Sequence, residues 1–150
     1  DLEHGLSTIP GILVFPGCAN WTLVKFTKHD VADVVAREQQ LKLERGGLTS
    51  RVDVLITSEE FGAAKPDPRM LWHALECVGA SRAMSVMFGD SLSTDIAGAR
   101  AAQVPAVWFN RWSGTVADPS LHEVRTLSPA ADVLRVFERA CRADVPASQR

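Results

Sequence analysis

Short apolar runs alternate with longer stretches of helical periodicity along this chain, and that alternation predicts repeated βα units. The first run is Trp21 to Thr27. A charged amphipathic stretch follows over 30–45 and predicts a helix stopped by Gly46-Gly47. The second run, Val52 to Thr57, leads into a polar loop holding Lys65-Pro66-Asp67-Pro68. Arg69 to Val78 then reads as a helix with proline at its start and Gly79 past its end. The third run, Ser85 to Phe88, breaks at Gly89-Asp90 before a small-residue helix over 94–103, whose alanines and glycine would let it lie close on a sheet. Ala106 to Phe109 makes a further strand. A loop bearing Gly, Pro and Ser then reaches a last amphipathic helix over 129–142, with a frayed tail beyond it. The expected class is α/β: a Rossmann-like parallel sheet with flanking helices.

Residues 1–20 are read as an irregular N-terminal segment, residues 21–143 as one core and 144–150 as a tail. Within the first of these, Ile12-Leu13-Val14-Phe15 lies between Pro10-Gly11 and Pro16-Gly17, which permits a short buried strand and forbids a long helix through Pro16. No internal repeat or low-complexity tract is present.

Candidate chemistry sits where strands end. Gly89-Asp90-Ser91-Leu92-Ser93-Thr94-Asp95 places two carboxylates between a strand and a helix, and ligands of open α/β sheets bind outside the carboxyl ends of strands. Asp90 could hold a hard cation such as Mg²⁺, and Asp95 could orient a bound water. A plain strand-to-helix turn, with Thr94 or Asp95 as helix cap, explains the same residues. Lys65, in the loop after the second run, could offset charge on a transferring phosphoryl group, or simply be a solvated lysine. Thr27, ending the first run, could hold phosphate oxygens together with the amides that begin the next helix, or be an ordinary strand-end threonine.

Composition narrows the partners. The 150 residues are 46% hydrophobic and 23% charged, ordinary for one globular domain, and 16 basic against 18 acidic side chains leave a formal charge of −2. No broad cationic field exists to attract nucleic acid or a membrane surface. Cys18, Cys77 and Cys141 form no CxxC pair, which suits a reducing compartment. No apolar run approaches the roughly 20 residues of a membrane helix, and the expected location is cytoplasmic. The chain opens on Asp1 without an initiator methionine, which suggests a processed or trimmed product.

Threonine, lysine and the aspartate pair follow separate strands in chain order, and in that arrangement the segments Phe26 to Asp30, Ser58 to Pro68 and Gly89 to Ala99 resemble motifs two, three and four of the haloacid dehalogenase-like (HAD) superfamily. The resemblance runs from about Trp21 to Asn110. It implies that Thr27 binds the phosphoryl group, with Lys28 beside it where many relatives have Asn. It also implies that Lys65 steadies nucleophile and phosphate, and that Asp90 and Asp95 serve Mg²⁺. The GDxxxxD form of the fourth motif is similar to that of magnesium-dependent phosphatases, which implies hydrolysis of a small phosphorylated metabolite through an aspartyl-phosphate; a homodimer is left open. The superfamily's first motif, an Asp-x-Asp pair on a central strand, occurs nowhere in the sequence, and neither does a helical cap. The resemblance therefore implies a HAD-like core lacking its nucleophile-bearing central strand, and a non-catalytic binding or regulatory paralogue is the competing reading. A receiver-like signalling domain fits less well, because its phospho-accepting aspartate would precede the threonine and lysine, whereas Asp90 follows both.

A missing central strand would strand buried backbone groups at about 1–3 kcal/mol each, against a total stability of about 5–15 kcal/mol. Ile12 to Phe15 is therefore expected either to pair in or near that position or to pack over the exposed edge. The family would place a helix there, but Pro16-Gly17 interrupts it. The four histidines are scattered, and Trp72, Trp108 and Trp112 are expected to pack.

Overall fold

A computed structural model describes residues 12–14, 23–27, 44, 54–112, 114–115 and 118–143, with the first two stretches given as backbone strands. The elements are β1 (Ile12–Val14), β2 (Leu23–Thr27), β3 (Val54–Thr57), α1 (Ser58–Phe61), α2 (Arg69–Val78), β4 (Val86–Gly89), a π-helical turn Leu92–Ile96 running into α3 (Ala97–Ala102), β5 (Ala106–Phe109), β6 (His122–Val124) and α4 (Ala130–Ala143). The helix expected over 30–45 lies outside the described residues apart from Glu44, which is helical; the tail 144–150 also lies outside them.

The six strands among the described residues form one sheet in the order β3-β2-β1-β4-β5-β6. β2 pairs parallel with β3, and β4, β5 and β6 pair parallel in turn. β1 runs antiparallel to both of its neighbours, pairing Ile12 with Lys25 and Phe88, and Val14 with Leu23 and Val86. Five strands thus share one direction, and the central one is reversed. Ile12 to Val14 of the apolar tetrapeptide fill the central position, Phe15 lying outside the described residues, so part of the segment expected to be irregular belongs to the core sheet. Its direction departs from the all-parallel expectation for a physical reason. A parallel return needs a crossover of a dozen or more residues, and only positions 15–22 separate β1 from β2, enough for a hairpin-like reversal.

Helices cover both faces, which explains why every residue of β4 is buried. Strand alternation sends Met87 to one side, where it joins Ile56, Met70, Leu71, Ala74, Leu75, Ala99, Ala102 and Val104 under α2 and α3. Val86 and Phe88 point to the other side and meet Val107, Val124, Phe137, Ala140 and Cys141 beneath α4. Phe88 packs between Phe109 and Phe137 at ring-centroid distances of 5.5 and 5.2 Å.

α2 begins and ends where the sequence signals it. Asp67 accepts the Arg69 amide at 2.9 Å before the first turn, and Gly79 takes a left-handed φ of 65° while its amide and that of Ala80 return to Glu76 and Leu75. β6 is the element that the sequence pattern concealed. It is an edge strand of three residues, paired as Val107 with His122 and Phe109 with Val124.

Candidate functional site

Because β2, β3 and β4 run the same way, their last residues share one edge of the sheet. Thr27 lies in register with Thr57 at the ends of β2 and β3, and Gly89 ends β4 with Asp90 directly after it. Thr27 is placed at this rim by its backbone alone, its side chain being outside the described residues, as is the whole of Lys28. The reversed β1 brings its first residue, Ile12, to this rim opposite Phe88.

Lys65 reaches the rim from the loop between α1 and α2. Its side chain is 5% exposed, and its ammonium forms an ion pair with Oδ1 of Asp95, which is wholly buried. Asp95 Oδ2 accepts the Ser91 amide at 3.2 Å, while Ser91 Oγ accepts the Thr94 amide at 3.3 Å. Ser91, not Thr94 or Asp95, is therefore the residue that opens the helical turn, and Asp95 reaches back to it as in a capping box. The turn is of π type, with the Ile96 amide bonded to the Ser91 carbonyl at 3.1 Å. π-turns of this kind recur at functional sites, and Asp95 is the acidic residue within this one.

Two glycines permit the close approach. A Cβ on Gly89 would stand 2.5 Å from both Cβ and Cγ of Asp95, and one on Gly98 would stand 3.3 Å from Cα of Pro66. The strand end, the turn and the lysine loop are thus packed against one another with no room for a side chain at Gly89. Outside the pair, Asp67 fixes the lysine loop to α2 by receiving Nε and Nη2 of Arg69 at 3.0 and 2.6 Å. Those guanidinium hydrogen bonds, and then the Arg69 amide, hold the Asp67 carboxyl below the usual carboxylate range.

Asp90 is the accessible carboxylate of the group. Its side chain is 35% exposed, its Oδ2 stands 3.8 Å from Nη1 of Arg111, and its carbonyl accepts the Trp108 indole N–H at 3.0 Å. Lys65 and Arg111 therefore bracket Asp95 and Asp90 from the loops after β3 and β5. Arg111 had no signal in the sequence pattern: the contact spans 21 positions and depends on β5 lying beside β4. The expectation that the three tryptophans pack holds for Trp108, which is buried, and for the half-buried Trp72, whose indole donates to Ala102 at 3.2 Å. It fails for Trp112, which is 78% exposed on the loop after β5.

Among the described residues no group of three His, Cys, Asp or Glu side chains could hold a metal. That is no bar to magnesium, which is commonly bound by one or two carboxylates plus waters and substrate phosphate. Asp90, at the rim and partly exposed, fits such a role. Asp95 is buried, and its two oxygens accept from Lys65 and from the Ser91 amide.

A sequence model of the haloacid dehalogenase-like hydrolases matches residues 31–109, more than half of the chain. The chain belongs to that family. The matched stretch contains Lys65, Asp90 and Asp95 and begins just after Thr27 and Lys28. Among curated proteins, a pyrimidine 5'-nucleotidase of Escherichia coli is 41% identical over 73 residues, 48% of this chain and 32% of the nucleotidase. A ribulose-1,5-bisphosphate 5-phosphatase of Halopiger xanaduensis is 44% identical over 72 residues, 48% of this chain and 30% of that enzyme. A crystal structure of a HAD phosphatase from Thermococcus onnurineus is 37% identical with a TM-score of 0.59, over 65% of this chain and 46% of that one. The chain thus spans about a third of the length of the curated relatives that it matches. No helix among the described residues is long and apolar enough to cross a membrane.

Proposed function

We propose that this chain is the phosphate- and magnesium-handling portion of a HAD phosphomonoesterase acting on a small phosphorylated metabolite in the cytoplasm, and that the 150 residues alone are catalytically incomplete. The observation that carries the reading is the buried Lys65–Asp95 pair held beside the accessible Asp90 at the carboxyl ends of parallel strands. An ammonium immobilised in this way needs no reorganisation to meet developing negative charge, which is where preorganised electrostatics contribute most.

Formal charge supports the same reading. Lys65 and Arg111 offset the charges of Asp90 and Asp95, so these four side chains leave no surplus of positive charge for a phosphoryl dianion, and a divalent cation arriving with it would supply one. Asp90 would hold that cation, and Thr27 and Lys28 would meet the phosphate from the end of β2. Magnesium, when bound, supplies charge stabilisation at the phosphoryl oxygens. Asp95 acts through Lys65, fixing the direction of the ammonium.

The displacement itself needs a nucleophile, and none of these residues is one. No Asp-x-Asp pair occurs in the sequence, and the central strand meets the rim at Ile12. That occupied central position also favours a second reading, a non-catalytic HAD-like protein that binds phosphorylated ligands. Hydrolysis of p-nitrophenyl phosphate with Mg²⁺ tests the incompleteness. The 150-residue chain is expected to show no turnover above buffer. Turnover that Asp90→Asn abolishes would overturn it.

A further inference from the structure

We propose that Arg111 and Trp112 form the specificity element of this site, selecting phosphoesters whose alcohol carries a planar aromatic group, such as a nucleoside, over those of a bare sugar. The inference rests on the phosphate site proposed above and names the part of the substrate beyond the phosphate.

Asn110 anchors the chain on both sides of these two residues. Asn110 is 2% exposed, and its amide donates to the Gly114 carbonyl at 2.6 Å and to Glu123 Oε1 at 2.8 Å. Its Oδ1 accepts the Gly114 amide at 2.8 Å, and its own backbone amide donates to Val124 at 2.9 Å. One buried side chain therefore closes the loop on itself and ties it to β6. A fully satisfied buried amide of this kind specifies one conformation, because any other leaves polar groups unpaired.

Arg111 and Trp112 project from that fixed loop. The guanidinium lies 3.8 Å from Asp90 and 4.6 Å from the centroid of the Trp112 ring. The two contacts run in series, so the indole lies within about 10 Å of the Asp90 carboxylate, inside the reach of a nucleotide whose phosphate sits at the rim. Arginine presents planar donors suited to phosphate oxygens, and it stacks on aromatic faces without losing them. One face of the indole is covered by the guanidinium. The 78% exposure of Trp112 leaves the other to solvent, and a tryptophan that open beside the Arg111–Asp90 pair can serve as a stacking platform. Bases stack on such rings largely independently of sequence, since every base has a π-face.

The test measures binding of uridine monophosphate, ribose 5-phosphate and inorganic phosphate to the 150-residue chain by calorimetry with Mg²⁺ present. The expected result is that the nucleotide binds roughly fivefold or more tightly than ribose 5-phosphate, the difference that one stacked base contributes. Trp112→Ala should bring that ratio close to one, Trp112→Phe should preserve most of it, and Arg111→Gln should weaken both esters. Inorganic phosphate that binds with no preference between the two esters, or a ratio unchanged in Trp112→Ala, would overturn this inference alone. Failure of all three ligands to bind would overturn the phosphate site and this inference with it.

Discussion

Lys65 and Asp95 come from loops 30 positions apart and meet where neither is open to water, which makes their pairing the most demanding electrostatic feature of the fold. Replacing Lys65 by Met leaves the Asp95 carboxylate buried with the Ser91 amide still donating to it. Replacing Asp95 by Asn leaves the ammonium beside a neutral group. Breaking a buried pair from one side costs about 3–5 kcal/mol, since the surviving charge loses its opposite in the pair. Against a total of about 5–15 kcal/mol, each single variant should lose a large fraction of its stability, equivalent to a fall in melting temperature of roughly 10 °C for a domain of this size. The double variant Lys65→Met/Asp95→Asn removes both charges and should be less damaged than the sum of the singles by about 2–3 kcal/mol. Urea unfolding monitored by circular dichroism supplies all four corners of the cycle. Single losses below about 1 kcal/mol that simply add would mean that the pair behaves like a solvated surface bridge, and the argument for a preorganised ammonium would be wrong.

Two further outcomes follow from the same geometry. Gly89→Ala places a methyl 2.5 Å from Asp95 Cβ, and the overpacking should cost about 1–3 kcal/mol, read as a lower urea midpoint; stability equal to that of the parent protein would show that the turn is looser than described. Asp118 is held at about pKa 2, first by the Ser120 hydroxyl, then by the Arg100 guanidinium and the Ser120 amide, from an ordinary value of 3.8. A carboxyl whose folded pKa is depressed stabilises the fold above its unfolded pKa and loses that contribution as pH falls through the folded value. Stability should therefore decline between about pH 4 and pH 2 through this group, and Asp118→Asn should flatten that part of the acid limb in a pH series of thermal melts; an unchanged limb would contradict the assignment.

Much of this arrangement was legible in the sequence, for identifiable reasons. α2 runs over the predicted residues because Asp67-Pro68 and Gly79 punctuate it, and β5 is a clean apolar run before a polar loop. Elements flanked by weaker signals moved: the strand expected over 85–88 is displaced by one residue, because Ser85 turns aside to bond the Ser81 carbonyl at 2.6 Å. β6 was invisible because three residues, two of them polar, carry no periodicity. The pairing of Ile12 to Val14 in the centre of the sheet could be argued from the cost of unpaired backbone. Its reversed direction could not, since direction is settled by the short connection to β2 and by neighbours remote in sequence. At the site, the lysine and both aspartates were visible as residue types at strand ends. What pattern alone could not supply was the division of labour between the two acids: a buried Asp95 committed to Lys65 and Ser91, and an accessible Asp90 facing Arg111.

The proposed function depends above all on this rim binding phosphate and a divalent cation together. It is tested most directly by titrating Mg²⁺ into the chain by calorimetry with and without inorganic phosphate, alongside Asp90→Asn. Weak magnesium binding that strengthens when phosphate is present, and disappears in Asp90→Asn, is the result predicted here. Magnesium affinity indifferent both to phosphate and to the loss of the Asp90 charge would contradict it.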